Sequence, residues 1–450
     1  MGKSIFNLYR KLQFIEIYLY NLSKHLKAIL NEYQIIDSLL TSNTLFNYPS
    51  FIRYLNINKI KPSIDMWLKA NDITLNMDSV SEFKKCINMS LIKLFIENEV
   101  NLYTLELDAS DTHYNTYTDN ILEIILQNPN FISNNIRNLK FSISNCNSMI
   151  KNHVTQIINS NQNLKQILFG LSSLSLYQSL LLSKESNCSN TLNTIIFSNI
   201  DFKRINNLDK IFEQLNVLES VHIIYCYSLD SFIQQIIKLT KPFKLKSLFL
   251  TMILEIDSLQ LLLQKSDDIT SLIFSLIENI KQNFNYLSIN LSNYKDNEDS
   301  NIKLILQNLG QILPSKLEYL NLVSRIKAND IEIFLKNSQD NFFNKLVIEN
   351  RKQDDINYID ILPYIKEYVM KKKRVKYLAI KNTIQGCVDM KMDLFDLKDE
   401  VKEFKLHNIK ARGKYGEAVE FDSGRIWVAL YPAITTSAVY GANCFTETSV

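Results

Sequence analysis

Glycine is scarce in this chain, at 8 of 450 residues. A loop that cradles phosphate usually needs several glycines so that backbone N–H groups can close on the ligand. Neither G-x-x-x-x-G-K-[ST] nor G-x-S-x-G occurs, which removes the P-loop and the nucleophile elbow as readings. Proline is as rare, at 7, and no Pro- or Gly-rich linker interrupts a chain longer than an ordinary single-core domain. The 6 cysteines (Cys86, Cys146, Cys188, Cys226, Cys387, Cys444) contain no C-x-x-C pair, so neither zinc nor redox chemistry is indicated. The 5 histidines (His25, His113, His153, His222, His407) lack metal-ligand spacing. No cofactor, metal or catalytic constellation is expected, and the chain reads as a non-enzyme.

Long apolar runs are missing too. None reaches the roughly 18 residues of a spanning helix. Met1 to Phe6 lacks a signal-peptide core, and Phe6 stands where a myristoylation signal wants Ser or Thr. No membrane partner is expected, and the compartment expected is cytoplasmic or nuclear, with reduced thiols. Lys and Arg number 50 against 47 Asp and Glu, for a net charge of +3 without a strong block of either sign. That balance argues against a dedicated nucleic-acid binder.

What the chain has in abundance is one phrase: an apolar residue, two others, an apolar residue, one other, an apolar residue. It reads Leu102-Tyr103-Thr104-Leu105-Glu106-Leu107, Leu245-Lys246-Ser247-Leu248-Phe249-Leu250 and Leu317-Glu318-Tyr319-Leu320-Asn321-Leu322. Looser copies begin at Ile136, Leu164, Leu192, Leu218, Phe284, Phe343, Val375 and Val401. Ile136 to Leu164 and Leu164 to Leu192 are each 28 residues, Leu192 to Leu218 is 26 and Leu218 to Leu245 is 27. Leucine-rich repeats run roughly 20–29 residues, each with a strand and a helix. The 39 residues from Leu245 to Phe284 are irregular; a further weak copy at Ile269–Phe274 divides them unevenly, and they read as one repeat with a long helix.

A helical period follows most copies: Ile211, Phe212 and Leu215; Phe232, Ile236 and Leu239; Leu304, Leu309 and Ile312; Ile331, Phe334 and Leu335. Asn206 or Asn207, Asp230 and Asn329 are candidate N-caps, and Pro242 and Pro314 candidate stops. The expected fold is α/β: a leucine-rich-repeat solenoid, a curved parallel sheet with outer helices, carrying an α-helical N-terminal cap. Residues 1–100 are the cap, with Phe46–Leu55 read as a turn into a helix. Residues 101–410 are the repeats. Residues 411–450 hold four of the eight glycines and lose the repeat phrase; they read as a frayed tail or as sequence of different origin, with Ile426–Leu430 as one strand.

In such a repeat the residues between the consensus positions face the open, concave side. The middle outward column contains Leu168, Ile196, His222, Phe249 and Asn321, and the preceding outward position contributes Tyr286, Tyr319 and Tyr377. Aromatic and aliphatic side chains on an exposed strand row suggest a protein partner on the concave face, and these eight are the candidate contact residues. Cys226 falls where the repeat places its turn Asn or Cys. Lys371-Lys372-Lys373-Arg374 resembles a nuclear-import run but reads better as the cationic end of a helix beginning near Asn357. Thr448-Ser449-Val450 and the Asn-x-Ser sequons at Asn21, Asn88, Asn187 and Asn290 fit chance.

Phe14 to Leu22, then Leu39-Leu40-Thr41-Ser42-Asn43-Thr44-Leu45 running into Phe46–Leu55, resemble the stretch after the F-box in fungal F-box leucine-rich-repeat proteins. The Asn-, Ile- and Leu-rich style of the repeats is similar, so the resemblance covers roughly residues 10–410. It implies a ubiquitin-ligase substrate receptor: the F-box docks on a Skp1-type adaptor, and the repeats hold the protein to be modified. Nothing before Phe14 reads as the F-box itself. The expectation is either a receptor without its ligase handle or a gene whose first exon is missing, and a Skp1-type adaptor is expected only if an F-box exists upstream. The alternative is a leucine-rich-repeat scaffold unrelated to ubiquitination.

Overall fold

The computed structural model describes residues 15, 17–22, 27 and 28, and from 47 to 411 all but 72–76, 99, 101, 110–114, 144–147, 171–186, 240–244, 254–276, 278–282, 293–298, 339–340, 353–360, 385–390 and 394–409. These residues build one 13-stranded sheet. Its strands follow chain order: β1 (Tyr54–Asn56), β2 (Thr104–Ala109), β3 (Asn138–Ile143), β4 (Gln166–Phe169), β5 (Thr194–Ser198), β6 (Ser220–Ile224), β7 (Ser247–Ile253), β8 (Tyr286–Ser292), β9 (Tyr319–Ser324), β10 (Phe343–Lys352), β11 (Val375–Ile384), β12 (Lys391–Asp393) and β13 (Lys410–Ala411). From β1 to β11 each strand pairs in parallel with the next. β12 folds back antiparallel on the end of β11, and β13 pairs with its start.

Parallel neighbours need a crossover. Helices supply most of them, among them Asn115–Leu126, Ser148–Ser160, Leu208–Gln214, Leu229–Ile236, Asp299–Ile312 and Ala328–Asn337. Every crossover steps to the next strand in the same direction. With the right-handed rule for such connections, the described crossover helices lie on one face. The result is a single open parallel sheet backed by helices, an arrangement compatible with a solenoid.

The repeat phrase occupies the position its spacing predicts in all ten copies within the described residues. Leu105, Leu139, Ile167, Ile195, Val221, Leu248, Leu287, Leu320, Leu346 and Leu378 stand abreast across ten strands. None is more than 2 % exposed. The first and third apolar residues of each copy are buried as well, in one core shared with Ile211, Phe232, Leu309 and Phe334 of the helices. Phe141, Phe169 and Phe197 are abreast, and Phe197 continues edge-on to Phe202, with centroids 5.4 Å apart, which leans on Phe232 at 4.8 Å. The core is thus a spine running across the strands, which no repeat could bury alone.

Backbone hydrogen bonds lock the same register at the edge where the strands begin. The carbonyl of Arg53 accepts from Tyr103 N–H and Thr104 N–H, that of Tyr103 from Arg137 and Asn138, that of Arg137 from Lys165 and Gln166, and that of Lys165 from Asn193 and Thr194. The pattern continues through Asn193, Glu219, Lys246 and Asn285. Each carbonyl uses both lone pairs, so successive repeats are tied at one height.

Several expectations are corrected. The turn into a helix read at Phe46–Leu55 is interrupted by a strand: within its described residues a 3-10 turn, Tyr48–Phe51, runs into β1, and the helix begins only at Ile57. Ile52, Leu55 and Ile57 are buried, and Leu55 lies abreast Leu105. Ile52-Arg53-Tyr54-Leu55-Asn56-Ile57 is therefore another copy of the phrase, and the sheet starts inside residues 1–100. The helix Ile57–Ala70 follows at once because the side chain of Asn56 accepts from Lys59 N–H, 3.2 Å, as an N-cap. Of the cap candidates elsewhere, Asn207 stands at the N-cap of the helix Leu208–Gln214, whereas Asp230 and Asn329 lie inside their helices. Asn207 and Ser228 precede their helices in left-handed conformations, Lys327 precedes the helix Ala328–Asn337, and none makes a side-chain cap hydrogen bond. β7 pairs directly with β8, in keeping with one repeat there, while the long helix read between them falls mostly outside the described residues. The copy at Val401, the weak copy at Ile269–Phe274, Pro242 and residues 412–450 lie outside the described residues.

Two helix contacts depend on single residues. At Gly310 an added Cβ would sit 2.8 Å from both Asn337 Cβ and Phe334 O, so the helices Asp299–Ile312 and Ala328–Asn337 approach too closely for any side chain there. Arg374, last of the basic run, is 5 % exposed and keeps only a long bond to its own helix, from its guanidinium to Tyr368 O at 3.4 Å. Its guanidinium donates to Leu335 O and Asn341 O, each at 3.0 Å, and to Ser338 O. It thereby satisfies the carbonyl end of the preceding repeat's helix, where a cation also meets the negative end of the helix dipole. Arg374→Ala strands these buried carbonyls and should lower stability by about 3 kcal/mol or more. Arg374→Lys should recover less than half, because an ammonium lacks the planar fork. Urea unfolding checks this; a wild-type midpoint for the lysine variant would refute the fork argument.

Candidate binding face

Alternation along the strands turns two long rows away from the helices. One runs Tyr54, Thr104, Asn138, Gln166, Thr194, Ser220, Ser247, Tyr286, Tyr319, Lys345, Tyr377; the other runs Asn56, Glu106, Lys140, Leu168, Ile196, His222, Phe249, Ser288, Asn321, Val347, Ala379. All eight candidate contact residues therefore share this face, in the two rows assigned from sequence. Their accessibility differs along it.

The centre is closed. Leu168, Ile196 and His222 are 8 %, 1 % and 7 % exposed, which corrects their reading as an exposed contact row. His222 stacks on Phe249 with ring centroids 4.1 Å apart, and its Nε2 lies 3.1 Å from Ser220 Oγ, which in turn accepts from Ser247 Oγ at 2.8 Å. Burial pushes the imidazole down to about 3, so His222 is neutral and packs rather than titrates near neutral pH.

The C-terminal part is more open. Tyr286, Tyr319, Phe249, Asn321 and Tyr377 are half-buried. The rings of Tyr286 and Tyr319 are 6.1 Å apart, and Lys345 Nζ lies over Tyr319 at 5.2 Å. Asn321 donates from Nδ2 to Ser288 Oγ at 2.9 Å, while its buried Oδ1 has no hydrogen-bond partner. The tyrosine hydroxyls can hydrogen-bond an incoming chain, and the rings offer area at low entropic cost.

The N-terminal part carries a polar network that the repeat phrase alone did not reveal. Tyr54 donates its hydroxyl to Glu106, Asn56 Nδ2 donates to Glu106 Oε1 at 2.7 Å, and Lys140 Nζ pairs with Glu106 Oε2 at 3.4 Å. Lys140 also lies 5.5 Å over the Tyr54 ring. Burial, then the bond to Glu106, pushes Tyr54 up to about 12, although the residue as a whole is 47 % exposed. Burial lowers the Lys140 ammonium, and Glu106 opposes that shift. The signal for Tyr54 was the overlooked copy at Ile52–Ile57.

Cys226 is half-buried just after β6; burial pushes its thiol up to about 12, so it holds no thiolate at neutral pH. Among the described residues no group of three or more His, Cys, Asp or Glu is placed to hold a metal ion, and no helix is long and apolar enough to cross a membrane. No family model matches the chain, and no curated protein matches it in sequence.

His222 makes a pH prediction. Its pKa is lower folded than unfolded, so the unfolded chain binds more protons as pH falls below about 6.5. Its contribution is complete above that pH and is lost as pH falls toward 3, amounting to about 2 kcal/mol by pH 5. His222→Phe keeps the stack on Phe249 and removes the titration. Urea unfolding at pH 7 and pH 5 should give the variant the smaller acid loss, and equal losses would contradict a neutral buried imidazole.

Proposed function

We propose that this chain is a non-enzymatic protein-recognition module of the leucine-rich-repeat solenoid type, binding its partner on the face turned away from the helices. The observation that carries the reading is the in-register row of half-buried tyrosines, Tyr286, Tyr319 and Tyr377, with Lys345 among them. A flat strand row spaces side chains about 4.8 Å apart, which suits an extended or irregular protein surface better than a small molecule in a cavity. Tyrosine is among the residues that most often dominate binding energy at such surfaces.

The resemblance of residues 10–410 to fungal F-box leucine-rich-repeat proteins extends the proposal to the substrate-binding part of a ubiquitin-ligase receptor. In that setting the face holds the protein to be modified, and a Skp1-type adaptor engages only through an F-box upstream. Without one, the chain binds its target and competes with intact relatives, or serves as a scaffold.

Tyr286→Ala combined with Tyr319→Ala tests the shared core of these readings. The double variant should weaken partner capture about tenfold or more, measured by crosslinking and quantitative pull-down against wild type. Undiminished capture by a folded double variant would remove this face as the contact.

A further inference from the structure

The edge at which the strands begin is basic and aromatic over β1 to β4. Its successive residues are Arg53, Tyr103, Arg137 and Lys165, tied side by side by the shared-carbonyl ladder at about 4.8 Å per strand. All four are exposed, Tyr103 at 38 %, and the Arg137 guanidinium lies 5.7 Å over the Tyr103 ring. Phe51, two residues before Arg53, is 64 % exposed, and Tyr54, next along, is 47 % exposed. Such a run of large exposed rings beside cations is uncommon on a surface that meets only water. The next edge position is Asn193; the first acidic one is Glu219, whose carboxylate is already paired with Lys246 at 2.6 Å. Glu106, the acid in the two outward rows over β1 to β4, is held by Tyr54, Asn56 and Lys140. The edge therefore presents positive charge and aromatic area with its own neighbouring acids engaged.

We propose that this edge docks an acidic segment of a protein partner, whose carboxylates pair with Arg137 and Lys165 while an apolar side chain rests against Phe51 and Tyr103. The inference rests on the protein-recognition reading, but it concerns a surface at the other end of the sheet from Tyr286 and Tyr319. Guanidinium and carboxylate match in a two-pronged geometry, and a strand-spaced row of three cations with a ring among them suits an extended chain bearing both acidic and apolar residues. A phosphate backbone is the competing ligand. The aromatic area and the chain's near-balanced charge favour the peptide.

The test measures fluorescence anisotropy of the full chain with three labelled probes: a peptide alternating Glu and Phe, its counterpart alternating Lys and Phe, and an oligothymidylate of matching length. The acidic peptide should bind, the basic one should not, and the complex should weaken with salt. Arg137→Glu with Lys165→Glu should weaken acidic-peptide binding about tenfold or more, with the circular dichroism spectrum unchanged. Should that variant fail to fold, Arg137→Gln with Lys165→Gln is read in its place. Acidic-peptide affinity that is absent, or equal in wild type and variant, overturns the proposal, as does tighter binding of the oligothymidylate. Tyr286→Ala with Tyr319→Ala, assayed separately for partner capture, keeps the two failures apart: loss of the edge result leaves the recognition reading standing if that variant still loses its partner.

Discussion

Everything in this molecule depends on neighbouring repeats sharing the burial of one apolar row. Leu105, Leu139, Ile167 and their successors are each covered only because the next strand brings its own equivalent alongside. A single strand and helix would leave half of these side chains wet, so stability is a property of adjacency rather than of any one repeat. The doubled hydrogen bonds at the leading edge serve the same end. A slip of one residue would break them and turn the whole apolar row to solvent.

That constraint also shapes what the face can do. With the consensus residues committed to the core, only the alternate positions are left to vary, and they vary by region. The middle of the face closes on itself through His222, Phe249, Ser220 and Ser247. The two ends stay more accessible, one lined by tyrosines and Lys345, the other by Tyr54, the Glu106–Lys140 pair and the basic edge beyond it. A parallel sheet that grows by repetition separates such surfaces by distance alone, without a second domain.

Much of the fold was legible because the repeat phrase is a covariation of position with chemistry. Ten copies agree on which residues point inward, and the phase once set assigned Tyr286, Tyr319 and Tyr377 to one row and Phe249 and Asn321 to the next. The strand β1 escaped because its phrase, Ile52 to Ile57, is followed immediately by a helix whose apolar period overlaps it. Asn207 stands at an N-cap as read, but the caps at Asp230 and Asn329 were misplaced because Asn, Ser and Asp are so frequent here that a capping residue type marks no particular position; Asn207 and Ser228 enter their helices in left-handed conformations. Arg374 looked like part of a charge run, and only its neighbours in the preceding repeat reveal it as a buried cap.

The sequence by itself determined the repeat, the inward residues and hence the parallel order of the strands, since a spacing of 26–39 residues between matching apolar triplets leaves room for one crossover each. Only the tertiary structure decided which outward residues are reachable. Alternation assigns a side chain to a face, but exposure depends on what packs over that face and on how neighbouring rows fill one another's gaps. Ile196 and Tyr319 both follow the rule for outward residues, yet one is sealed and the other half open.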